Sequence, residues 1–227
     1  MAPIAPAKEP FEFRSCLNLT LLTGRQARDL AELVEHLRVV PGGVIYHHTH
    51  HFLLQHQFLS PEPPNDFAYW VSNTLLEEAL GEELAAIDVL RFATIRDLRN
   101  ALIEVIQRHL DRARDLRTAP LGEEFHFKQS VSFIIPTGFR AADLREFRDG
   151  LEHVSIASIS FHTFDARLHL ERGDNDFARW LETFAGEPAL AGAMRNADPY
   201  TITLEGLRRR MLALIDRRIA ELDRVPA

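Results

Sequence analysis

The chain has 227 residues, 46% hydrophobic and 26% charged, with a net charge of −7. That is globular composition with enough apolar material for a sizeable core, and the acidic balance argues against nucleic acid or an anionic membrane as the main partner. Cys16 is the single cysteine, which excludes an intramolecular disulfide and a thiolate zinc cage within one chain.

Residues 1–10, MAPIAPAKEP, are proline-rich and lack the basic and apolar regions of a signal peptide, so disorder is expected there. No apolar run approaches the ~20 residues needed to span a bilayer, and the expected location is the cytoplasm, without membrane contact. From Phe11 to Leu21 the odd positions are mostly apolar and the even ones mostly polar, the period of a half-buried strand. Thr23-Gly24-Arg25 reads as a turn. Ala27, Leu30, Leu33, Val34 and Leu37 then form the apolar stripe of a helix that ends at Pro41-Gly42-Gly43. The next element, YHHTHHFLLQHQF from Tyr46 to Phe58, carries five histidines. Asn65 is a candidate N-cap with Asp66 in the favourable first turn, and a long helix over 94–110 closes the set.

After residues 111–124, a linker broken by Pro120 and Gly122, the chain repeats itself. At an offset of 114 (125 − 11), 14 of the 44 pairs from Phe11 to Leu54 are identical, against about three by chance at average composition. They include Phe11/Phe125, Thr23/Thr137, Gly24/Gly138, Asp29/Asp143, His48/His162 and Thr49/Thr163. Further on, NDFAYW (65–70) meets NDFARW (175–180). The pattern predicts a tandem duplication, with units 11–110 and 125–222 related by a pseudo-two-fold axis and packed as one body. Each unit would contribute one N-terminal strand plus several helices, giving an α+β, mostly helical class. The histidine element reads as a helix, although the alternation in SIASISFHTF (155–164) also permits a strand. Ser155 or Ser158 can cap it. The basic stretches at 111–117 and 207–210 read as solvated helix faces.

On a helix, His48 and His51 lie one turn apart on one face, and His162 and Asp165 stand at the matching places. If the axis ran between these helices, the four would form an N/O donor set suited to zinc, iron or manganese. The competing reading makes His48 and His162 buried, neutral, hydrogen-bonded imidazoles that recur because duplicated cores pack alike. His47 and His50 stand where the second copy has Phe161 and Phe164, which favours packing. A site of the first copy alone, from His47, His50, His51 and His56, is a further option. Asp66 and Asp176 read as first-turn residues, or as carboxylates supporting a ligand set. Arg25 and Arg140, beside the Thr-Gly turns, are weak candidates for holding an anion.

The string LTGRQARDLAEL…PGGVIYHHTHHFLLQHQFLSPEPPNDFAYW, echoed by PTGFRAADLREF…SFHTFDARL…NDFARWL, resembles a prokaryotic family catalogued as a domain of unknown function. The resemblance implies a standalone soluble prokaryotic protein and carries over no catalytic residues. The leading functional expectation is therefore a soluble metal-binding protein with a histidine/carboxylate site between the repeats. The alternatives are a non-enzymatic regulatory or scaffold module with a structural histidine cluster, and an anion or phosphometabolite binder using the Thr-Gly turns. A homodimer is expected, because two strands make a marginal sheet and a second chain would supply two more.

Overall fold

The computed structural model describes residues 4–55 (side chains to residue 50), 65–113, 115–166, 175–196 and 202–224. The fold is mixed α+β and mostly helical. Strand β1 (Phe11–Ala27) is followed by helices α1 (Leu30–Val39), α2 (Gly42–Gln55), α3 (Asp66–Asn73), α4 (Glu78–Ala85) and α5 (Ile95–Leu110), with a 3-10 turn at Val89–Arg91. Strand β2 (Phe125–Ala141) then leads to α6 (Leu144–His153), α7 (Ile156–Ser160), a π-helical turn (Phe161–Asp165), α8 (Asp176–Thr183), α9 (Pro188–Arg195) and α10 (Leu204–Arg224). The histidine element is helical in both places, and the strand alternative for 155–164 is not observed.

The two strands form a two-stranded sheet. Thr23 Oγ1 donates to the Phe127 carbonyl (2.6 Å), Ser132 Oγ to Asn18 Oδ1 (2.6 Å) and Thr137 Oγ1 to the Phe13 carbonyl (2.7 Å). In each pair the residue numbers sum to 150, so the strands run antiparallel. The Thr-Gly pairs lie inside these strands and not at strand-to-helix turns. Gly24 and Gly138 take the left-handed φ values of +74° and +82°, with nothing near where a Cβ would stand. Backbone conformation, not space, is what requires glycine there.

Local chemistry sets the helix boundaries. Asp29 caps α1 through the Glu32 amide (2.9 Å), and Glu32 reaches back to the amide of Arg28 (2.9 Å). Asp143 and Glu146 do the same for α6, the latter bonding the amide of Ala142 (2.7 Å). Asn65 and Asn175 cap α3 and α8 through the amides of Ala68 and Ala178, as expected, and Ser155 caps α7.

The chain divides into two compact units whose boundaries differ from 11–110 and 125–222, because both strands are cut in the middle. Unit one holds described residues from 18–55 and 65–132; unit two holds those up to 17 and from 133 onward. Each unit therefore takes the opening of one strand and the close of the other. In unit one, Phe125 packs against Phe67, Trp70 and His48, and Phe127 against His48. In unit two, Phe11 and Phe13 pack against Phe147, Phe177 and His162, and Phe11 also meets Trp180. All these rings are buried, each worth roughly 1.5–3 kcal/mol relative to exposure. Residues 1–10 were expected to be disordered, but Ala7–Glu9 are tied into unit two. Ala7 N donates to Ala142 O, Lys8 N to Phe184 O and Trp180 Nε1 to Glu9 O. The segment before β2 does the same in unit one: Ala119 N donates to Arg28 O and Trp70 Nε1 to Glu123 O.

Candidate functional site: two histidine–aspartate clasps

Helix α2 comes close to β2 because Gly43 has no side chain; a Cβ there would stand 2.6 Å from the Ser130 carbonyl oxygen. That approach brings His48 against the strand. Its Nε2 accepts the main-chain N–H of Lys128 (2.9 Å), and its Nδ1 lies 2.8 Å from Asp66 Oδ2. In unit two His162 repeats the arrangement: Nε2 accepts the N–H of Arg14 (2.8 Å), and Nδ1 lies 2.9 Å from Asp176 Oδ2. The strand amides so bonded would otherwise have to find water or remain unpaired.

These contacts fix the proton inventory. A backbone N–H can only donate, so each Nε2 must present its lone pair; each Nδ1 must then carry the hydrogen given to the aspartate. Both imidazoles are deeply buried, with side-chain exposure of 3% for His48 and 2% for His162, while Asp66 and Asp176 are 53% and 14% exposed. Burial pushes the His162 pKa below its usual value, opposed by the hydrogen bond and the charge of Asp176. Neutral His162 is thus the native form.

Among the described residues, His47, His48 and Asp66 form a group whose ligand atoms lie within 4.8 Å of one another and which could hold a metal ion. His47 Nδ1 also lies 2.9 Å from Ser130 Oγ. The donor chemistry works against an ion on His48. Coordination at Nδ1 would move its proton to Nε2, where it would confront the Lys128 N–H donor to donor. Coordination at Nε2 would break the same bond.

The four residues singled out as a shared set are distributed over the units. His48 and His51 lie on α2 in unit one, while His162 and Asp165 lie on the π-helical turn in unit two. The side chain of His51, and all of His56, lie outside the described residues. His50 stacks on Tyr46 with ring centroids 5.3 Å apart and bonds Thr49 Oγ1 (2.8 Å). Arg25 is exposed beside His36, its Nη1 3.4 Å from His36 Nδ1. Arg140 pairs with Glu12 (3.4 Å) and lines a cleft of about 560 Å³ in unit two. Sequence reasoning offers Asp66 and Asp176 as carboxylates supporting a ligand set but does not pair each with its own histidine. The signal was present, since both blocks recur downstream of a repeated His-Thr. It also missed the backbone amides, which no side-chain pattern reveals.

The fold and the clasps together define a mixed α+β protein with a twice-built histidine–aspartate pair, and no described helix is long and apolar enough to cross a membrane. The chain belongs to a family of unknown function, DUF5752, which it matches over residues 8–216. It is similar to the solved structure of OrfY from Thermoproteus tenax, with 34% identity and a TM-score of 0.81 over 94% of this chain and 97% of that one. No curated protein matches it.

Proposed function

We propose that the protein is a scaffold or regulatory module produced by tandem duplication, in which His48 and His162 are structural. One observation carries this reading: each imidazole spends its only lone pair on a strand amide, Lys128 in one unit and Arg14 in the other. A side chain so committed is available neither as a general base nor as a metal ligand. Its work is to close the open hydrogen-bonding side of a strand and to join that strand to α3 or α8 through the aspartate.

The second reading, a divalent transition metal on His47, His48 and Asp66, rests on the 4.8 Å grouping of their ligand atoms. Elemental analysis of protein purified without a histidine tag or chelator, followed by titration with zinc, iron(II) and manganese, separates the two. The structural reading expects no stoichiometric metal, and both His48→Ala and His162→Ala less stable than wild type. One equivalent of metal that is lost in His48→Ala and kept in His36→Ala would overturn it.

A further inference from the structure

We propose that the cleft of unit two binds a small organic anion, a metabolite bearing a phosphate or carboxylate on an apolar body. The inference stands whether or not unit one takes a metal. The cleft's volume, about 560 Å³, falls within the size range of small-molecule sites. Its floor is aromatic, with Phe11, Phe161 and Trp180, and Phe184 stands half-exposed in its wall. Three guanidinium groups reach it from three elements: Arg14 from β1, Arg140 from β2 and Arg179 from α8.

Two of these arginines hold a carboxylate already. Glu12 offers Oε2 to Arg14 at 3.5 Å and Oε1 to Arg140 at 3.4 Å. Both distances exceed the ~2.7–2.9 Å of a strong charge-assisted bond, and all three side chains are more than half exposed. A pair this loose is held weakly, so an incoming phosphate or carboxylate with bidentate geometry can displace Glu12 from the fork. Arg179 is exposed on the same cleft and has no ion-pair partner among the described residues, so it can take a second charge on the ligand.

Unit one indicates that the fold does not require the charges of Glu12, Arg140 and Arg179, whereas Arg14 corresponds there to another cation, Lys128. At an offset of 114, Glu12 and Arg140 correspond to His126 and Gln26, which hydrogen-bond to each other at 3.2 Å. In the Asn-Asp-Phe block, Arg179 corresponds to Tyr69. The surrounding Phe11, His162, Asp176 and Trp180 have identical counterparts in Phe125, His48, Asp66 and Trp70. The same framework is therefore built without Arg140 and Arg179, and their convergence with Arg14 in unit two is an addition to it.

The test is calorimetric titration of the full chain, at low ionic strength, with inorganic phosphate, pyrophosphate and citrate as probes. The proposal expects at least one probe to bind at one equivalent. Arg140→Gln and Arg179→Gln should each weaken that binding at least about tenfold, through the loss of a charge-assisted bond. Glu12→Gln should strengthen it by releasing the fork, and Arg25→Gln, in unit one, should leave it unchanged. Which probe binds distinguishes a phosphate ligand from a carboxylate one. No heat with any of the three, or binding indifferent to both Arg140→Gln and Arg179→Gln while circular dichroism shows them folded, overturns the proposal.

Discussion

Replacing His162 with alanine tests the clasp where its energetics are most completely specified. The substitution leaves the Arg14 amide without its acceptor and Asp176 without its buried donor, and it empties a site whose ring touches Phe11, Phe13, Phe161 and Phe177. An unsatisfied buried donor costs about 1–3 kcal/mol, and Asp176, 14% exposed, recovers part of its loss from water. With the cavity contribution, about 2–4 kcal/mol is expected at pH 7.5, a large part of the total for a domain of ordinary stability. The pH dependence carries the sign. Burial lowers the folded pKa of His162 beneath the unfolded value near 6.5, so the native state binds fewer protons than the unfolded one below that pH. Wild-type stability from this group is complete above about 6.5 and is lost as pH falls toward the depressed folded value, at up to ~1.4 kcal/mol per pH unit. His162→Ala has no such loss, so the gap between the two proteins should narrow as the pH falls from 7.5 to 5.5. Urea unfolding followed by far-ultraviolet circular dichroism at both pH values measures it. A gap that widens in acid would mean that Asp176 holds His162 as an imidazolium, and would refute the proton inventory.

Three glycines separate space from conformation. Gly150 of α6 lies against the ring of Phe13, which a Cβ would overlap, so Gly150→Ala should cost ~1–3 kcal/mol through overpacking. Gly138→Ala meets no neighbour but must hold φ at +82°, and should cost ~1–2 kcal/mol. Gly192, inside α9 with nothing near its missing Cβ, should gain ~0.5–1 kcal/mol as alanine. Thermal melts of the three variants, read by circular dichroism, give the order. The half-exposed Leu17, Phe133 and Ile135 of unit two, and Leu19 and Leu21 of unit one, leave strand surface uncovered, as a two-stranded sheet must. A homodimer is expected, with light scattering giving about twice 25.9 kDa; a monomer at micromolar concentration would count against it.

Much of the framework was legible because its signals are local. Alternation from Phe11 marked β1, Asp29, Asp143, Asn65 and Asn175 marked helix starts, and the stripe through Leu30, Leu33, Val34 and Leu37 marked a buried face. Period reveals which face a side chain shares, not how deep it lies. Phe13 and Leu17 share a strand face, yet Phe13 is buried and Leu17 half-exposed. The division of the chain was illegible for a related reason: matching sequence blocks do not reveal that β1 and β2 are each divided between the two units. The Thr-Gly pairs read as turns because Gly usually signals one, whereas the strands here absorb a left-handed residue and continue to Ala27 and Ala141. The donor set His48, His51, His162 and Asp165 rests on helical spacing and on matching places in the two halves, and neither carries information about a main-chain amide.

The differences between the two units bear on what the clasp is for. Where unit one has His47 bonded to Ser130, the counterpart in unit two is Phe161, which offers no donor atom. The third member of the candidate metal group is therefore missing from unit two, and the pairing of His162 with Asp176 and the Arg14 amide persists without it. The histidine–aspartate geometry therefore does not depend on a neighbouring histidine such as His47. What both clasps retain is a strand amide to be bonded and a helix-opening aspartate to receive the Nδ1 proton. That requirement is shared by both units, whereas His47 in one unit and Arg140 and Arg179 in the other are positions at which the units differ. Activity should accordingly be sought among the residues in which the units differ, and stability among those they share.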